Sequence, residues 1–262
     1  MLMHVVIAAT ALVVSGLTLF SGFGLGTILM PAFALFFPVT TAIAATAVVH
    51  LVNNLFKLLL VGRLADWNVL MRFAVPAAVA AVGGAWLLGQ LTGMPVLARY
   101  DLFGEVREIQ SVKLVIGLMI VIFALLELDP RFAALSFSSR FLALGGVISG
   151  FFGGLSGNQG AFRSAFLLKA GLDKEAFVAT GVVAAVVVDT VRLIVYGLSF
   201  YGTSFAAIGD EVLGTVATAI VAAAVGAYLA TRLLRKVTLR LVQVVVAVMM
   251  IVVGLGLAGG VL

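Results

Sequence analysis

The chain has 262 residues, of which 63% are hydrophobic and 10% charged, with a formal net charge of +5 and a mean hydropathy of +1.27. Too little polar side chain remains to cover a soluble globule of that size, so lipid must serve as the outer solvent. The absence of cysteine excludes a disulfide framework and a thiolate metal site. The basic residues flank apolar runs instead of collecting on one soluble face, which argues against a nucleic-acid partner and for a topology signal.

In chain order, the first apolar region covers about residues 3–37. Its opening run, Leu2 to Phe20, lacks a basic leader and is read as part of the fold, not as a signal peptide. The glycine run Ser21-Gly22-Phe23-Gly24-Leu25-Gly26 then interrupts it. Three spans follow, at about 41–62, 69–92 and 111–128, each bounded by charge, proline or glycine and long enough to cross the hydrocarbon layer. A second interrupted region covers about 139–170, with Gly150, Gly153, Gly154, Gly157 and Gly160 near its middle, and spans at about 174–198, 207–231 and 238–261 complete the chain. Each interrupted region has room for two short helical legs and a break, and is marginal for two full crossings. Both are therefore read as broken hairpins.

The two halves also read alike at an offset of about 134 residues: Ala42, Ala45 and Thr46 match Ala176, Ala179 and Thr180, and Asn54, Lys57 and Gly62 match Asp189, Arg192 and Gly197 one residue later. Positive charge sets their direction, because short cytoplasmic loops retain Lys and Arg. Arg63 with Arg72, Arg131 with Arg140, and the group Arg232, Arg235, Lys236 and Arg240 mark three inner loops. No Lys or Arg occurs from 193 to 231, which puts the loop near 199–207 outside, and counting crossings puts the 93–110 loop outside as well. Span 41–62 then runs inward and its counterpart 174–198 outward. The expected fold is an all-α integral membrane protein, one membrane domain built of two inverted-topology repeats, 1–128 and 129–262, each a broken helical hairpin plus three transmembrane helices.

Polar side chains inside spans are the candidate site, since each costs several kcal/mol unless it meets water, a partner or substrate. Thr46, His50, Asn54 and Lys57 share one helical face, with Asn53 off that stripe and suited to bonding a neighbouring helix. Lys57 also lies close enough to the inner surface to snorkel. Asp189 and Arg192, three apart, can form a local ion pair; a buried carboxylate is equally a candidate for proton or sodium coupling, and His50 for packing or proton handling. At the second break Asn158 and Gln159 offer amides, Arg163 follows, and the helix N-terminus after the break attracts anions. Lys57, Arg163 and Arg192 against Asp189 alone leave surplus positive charge, which calls for a small anionic substrate, and the guanidinium forks suit an oxyanion.

The paired glycine-rich hairpins, with Gly24-Leu25-Gly26 before Pro31, then Gly150-Phe151-Phe152-Gly153-Gly154-Leu155-Ser156-Gly157, Lys174-Glu175-Ala176 and Ala179-Thr180-Gly181, resemble the sulfite exporter TauE/SafE family over nearly the whole chain. The resemblance implies a secondary transporter, an exporter of small sulfur-containing anions such as sulfite, sulfoacetate or other organosulfonates, in a cell (inner) membrane. In this reading Asn54, Lys57, Asn158, Gln159, Arg163 and Arg192 hold the anion, Asp189 and His50 tune or couple it, and one repeat rocks against the other. No cofactor or metal is expected. Passive anion channels, carriers of small carboxylates and scaffold subunits remain open alternatives, while the zincin, nucleophile-elbow and paired-carboxylate signatures of an enzyme are missing. Gly226, Gly254, Gly256, Gly259 and Gly260 fit close helix contacts within one protomer or across a homodimer.

Overall fold

A computed structural model describes residues 1–21, 25–133, 135–199, 210–233 and 239–262. The first hairpin break at Gly22-Phe23-Gly24, most of the expected outer loop near 199–207, and Arg235 and Lys236 of the last inner loop lie outside the described residues.

The interrupted first region forms α1 (Leu2–Ser21) and α2 (Leu25–Ala34), and the three spans after it are α3 (Val39–Val61), α4 (Trp67–Thr92) and α5 (Ser111–Leu128). A short α6 (Pro130–Ala133) leads to the second interrupted region, α7 (Leu142–Ser156) and α8 (Gly160–Leu167), followed by α9 (Lys174–Ser199), α10 (Asp210–Leu233) and α11 (Leu239–Ala258). Among the described residues, five helices, α3, α4, α5, α9 and α10, are long and apolar enough to cross a membrane. The hairpin legs are unequal. The 20 residues of α1 rise about 30 Å at 1.5 Å per residue, whereas α8 has only 8 residues.

Local chemistry sets the helix ends. The Asp66 side chain accepts from Val69 N at 2.9 Å and caps α4, and Asp173 Oδ1 accepts from Ala176 N at 2.7 Å at the start of α9. The segment expected as a plain outer loop folds instead as an antiparallel hairpin of β1 (Val96–Leu102) and β2 (Glu105–Gln110). Its two-residue turn, Phe103 and Gly104, has φ of 55° and 82°, the left-handed pair that matches the twist of a tight hairpin. Counting charges in this segment hid the alternation that makes it pair. Tyr100 Oη donates to Gly259 O at 2.5 Å and Arg107 to Val261 O at 3.4 Å, so the ribbon is tied to the chain beyond α11.

Two seams of small residues dominate the packing. Along α4 and α7, a Cβ added at Gly146, Gly150 or Gly154 would lie 2.2, 2.0 or 2.1 Å from the carbonyl oxygens of Phe73, Ala77 and Ala81. Both series rise together, so the helices run parallel at backbone contact, held by dispersion and Cα–H···O approaches. The counterpart seam joins α1 to α10, where His4 meets Thr215 and a Cβ on Gly226 would lie 2.0 Å from Leu12 O. By contrast α3 and α9 pack antiparallel, with His50 beside Asp189 and Asp66 beside Thr180. So do α5 and α11, where Gly117 faces Gly254 and Ala258 while Val121 faces Gly254. The glycines Gly226, Gly254 and Gly260 thus all meet backbone of the same chain.

Two buried apolar clusters result, one containing Val188 and the other Tyr196. Helix α9 carries its polar stretch, Asp189 to Arg192, between them.

Candidate functional site

Helix α7 stops at Gly157, whose φ of 87° is the left-handed C-cap, with its N–H bonded to Gly153 O. The next turn is held by Ser149 Oγ, which donates to Gln159 O at 2.9 Å, and by Asn158 Nδ2, which donates to Ser156 Oγ at 3.1 Å. The break lies against the first hairpin: a Cβ on Gly26 would sit 3.2 Å from Gly157 O and 3.8 Å from the His50 ring. Helix α9 grips the same break. Arg192 NH1 donates to Gly153 O at 3.4 Å and the Tyr196 hydroxyl to Gly154 O, two carbonyls of the last turn of α7.

Four side chains converge on Asp189, which is wholly buried. Its Oδ2 lies 2.6 Å from His50 Nδ1 and 3.5 Å from Asn54 Nδ2. Its Oδ1 lies 3.0 Å from Gln159 Nε2 and 2.8 Å from Arg192 NH2. That last contact is Coulombic more than directional, since NH2 and Nε of Arg192 align on no acceptor among the described residues although the side chain is 0% exposed. Gln159 extends the chain of contacts, its Oε1 accepting from Arg163 NH1 at 3.3 Å. Charges on α8 and α9 are thereby joined through one amide.

Next to this layer is a cavity of about 120 Å³ whose polar lining is Asn54, Lys57, Arg163 and Ser164, with apolar wall from the end of α3 and from Phe177 and Val182 of α9. At about 30 Å³ of liquid volume per water it holds some four waters or one small oxyanion. Two cations, one amide and one hydroxyl meet there. Lys57 makes no ion pair among the described residues and points into the cavity.

Of the residues singled out in the sequence, His50, Asn54, Gln159, Arg163, Asp189 and Arg192 therefore form one connected, buried group, and Lys57 joins it across the cavity. Asn158 is engaged within the break and does not line the cavity. Asn53 lies off the stripe and accepts from Ser15 Oγ of α1 at 3.4 Å. Tyr196 was not anticipated, although it falls four residues after Arg192 on the same helical face.

The family model of the sulfite exporter TauE/SafE matches residues 7–257. The chain belongs to the TauE/SafE family. No curated protein and no solved structure matches it significantly. Membership together with five apolar crossing helices makes this a multi-pass membrane protein of a transporter family. The match spans both hairpins and every residue of the buried group.

In this TauE/SafE chain the break tolerates no side chain at its cap. A Cβ at Gly157 would lie 2.6 Å from Arg192 NH1, whereas Gly171, with a similar φ of 80°, has nothing within 4 Å. Both alanine variants carry the same left-handed strain of about 1–2 kcal/mol. Only Gly157→Ala displaces the guanidinium. Transport assayed alongside thermal unfolding should therefore fall at least about tenfold in Gly157→Ala and stay near wild type in Gly171→Ala, because losing a charged hydrogen bond is worth about 1.5–3 kcal/mol.

Proposed function

We propose that this TauE/SafE protein is a secondary transporter that exports small sulfur-containing oxyanions, such as sulfite, sulfoacetate or another organosulfonate, across the cell (inner) membrane by alternating access. The observation that carries the reading is the cavity between α3, α8 and α9, where Lys57 and Arg163 face one small space beside Asn54 and Ser164. Lys57, which makes no ion pair among the described residues, needs a counter-charge in such a space, and a substrate anion supplies it. Its walls are the last two turns of α3 and the first turns of α9. Arg63 and Arg72 stand just beyond α3, and the charge rule assigns that end to the cytoplasm, the side from which an exporter loads.

The inverted-repeat reading is supported by the packing. Equivalent helices α3 and α9, and α5 and α11, run antiparallel, and the two seams pair the hairpin of each half with the middle span of the other. Asn54 and Asp189, matched in the two halves, touch each other, as residues near a two-fold axis do. An axis of this kind lies in the membrane plane with the substrate near mid-depth.

The test is counterflow of labelled sulfite and labelled sulfoacetate in proteoliposomes. Arg163→Ala should raise KM for the transported anion by about 10–100-fold, the value of a charged hydrogen bond, while the protein stays folded. Undiminished transport in both Arg163→Ala and Arg192→Ala removes the reading.

A further inference from the structure

The cavity has two chemically different ends. Helices α3 and α9 run antiparallel along it, with His50 beside Asp189 and Asp66 beside Thr180, so residues late in α3 stand opposite residues early in α9. At the buried end lie Asn54 and Lys57 of α3 with Arg163 and Ser164 of α8. One helical turn further along α3, Leu60 enters the wall, opposite Phe177 and Val178 from the start of α9. Helix α8 follows the same gradient. Gln159 at its start meets Asp189, while Leu167, two turns on, reaches to 4.0 Å from a Cβ placed on Gly181. The polar groups thus form a floor, and Leu60, Leu167, Phe177 and Val178 form an apolar collar at the mouth. That mouth is open: Leu60 is 68% and Val178 38% exposed, whereas Asn54 and Arg163 are 5% and 6%.

We infer that the substrate is an amphiphilic monoanion, a single oxyanion head carrying a short unbranched hydrocarbon tail, with the head on the floor at Lys57 and the tail in the collar. This inference rests on the anion-carrier reading and narrows it within the organosulfonates.

The chemistry of the collar decides between tails. It offers no hydrogen-bond donor or acceptor from the four side chains that form it, so a charged or hydrated group placed there sheds water and finds no partner. A methylene placed there gains by the same transfer. Sulfite fills the floor and leaves the collar unused, and sulfoacetate puts its second charge against Phe177 and Leu60. The distance from Lys57 to the Leu60 rim is one turn of α3, about 5.4 Å, which a tail of about four carbons spans. Entry is head first. Lys57 makes no ion pair among the described residues and draws the oxyanion inward, and the tail follows from the end of α3 that the charge rule assigns to the cytoplasm.

Counterflow of labelled propanesulfonate in proteoliposomes, competed by unlabelled methane-, ethane-, propane-, butane- and hexanesulfonate and by sulfoacetate, reads the collar directly. Each carbon from methane- to butanesulfonate should lower the inhibition constant about fourfold, the worth of about 0.8 kcal/mol per buried methylene. Hexanesulfonate should gain little more, because its end lies beyond Leu60. Sulfoacetate should inhibit at least about tenfold less well than propanesulfonate. Val178→Lys, at the exposed rim, gives the collar a cation and should improve sulfoacetate about tenfold relative to propanesulfonate, whatever the variant's overall rate. A flat series, sulfoacetate equal to propanesulfonate in the wild type, or an unchanged ratio in a transporting Val178→Lys protein overturns the collar. So does counterflow of sulfite without counterflow of propanesulfonate, and each of these results leaves the carrier reading intact. Absence of counterflow for sulfite, sulfoacetate and propanesulfonate alike overturns the carrier reading itself.

Discussion

Asp189→Ala abolishes transport and lowers the stability of the purified protein by about 3–5 kcal/mol, the cost of leaving a buried charge without its partner. Arg192 has no exposure and no alternative carboxylate among the described residues, so deleting Asp189 leaves a guanidinium to be neutralised by one backbone carbonyl. The double variant Asp189→Ala with Arg192→Leu removes both charges and should regain most of the lost stability, because buried pairs replaced by apolar groups are often neutral or better. It should not regain transport. Thermal unfolding in detergent read beside proteoliposome flux separates the two effects. A single variant as stable as the wild type would mean that the pair is not desolvated.

The second large effect belongs to the seam between α4 and α7. Gly150→Ala places a methyl group 2.0 Å from Ala77 O and 2.5 Å from its Cα, both rigid backbone, so the helices must part along their length. Overpacking of this kind costs about 1–3 kcal/mol when side chains can yield; here only backbone is available, and the loss should reach at least the upper end. Gly83→Ala, in the same seam helix with nothing within 4 Å, is the control and should gain up to about 1 kcal/mol from helix propensity. Folded yield and unfolding temperature check both. Equal behaviour of the two variants would refute the backbone contact.

Most of the architecture was legible in the sequence because crossing a membrane demands a length of apolar helix that few other structures need. Expected spans 41–62 and 174–198 correspond to helices Val39–Val61 and Lys174–Ser199. The glycine break at Gly157 was visible for the same reason, as an interruption in an apolar run. Unequal hairpin legs were not, since nothing in a uniformly apolar stretch such as Leu2 to Phe20 marks how far a helix extends. The ribbon at Val96–Gln110 was hidden because its residues are mixed in polarity and read as a charged loop. At the site, helical spacing put His50 with Asn54 and Asp189 with Arg192, but the pairing of His50 with Asp189 joins residues 139 positions apart. No local pattern carries such a contact. The bridge that the Gln159 amide makes between Asp189 and Arg163 likewise joins residues too far apart for any local pattern to show.

The two glycine seams bear on how such a molecule can move. Each fastens the first leg of one hairpin, by backbone-to-backbone contact, to the middle span of the opposite half. Helices of the first and second halves of the chain are therefore interlocked. Swinging residues 1–128 as a block against 129–262 would have to prise both fastenings open, so any rearrangement that keeps them must carry α4 together with α7 and α1 together with α10.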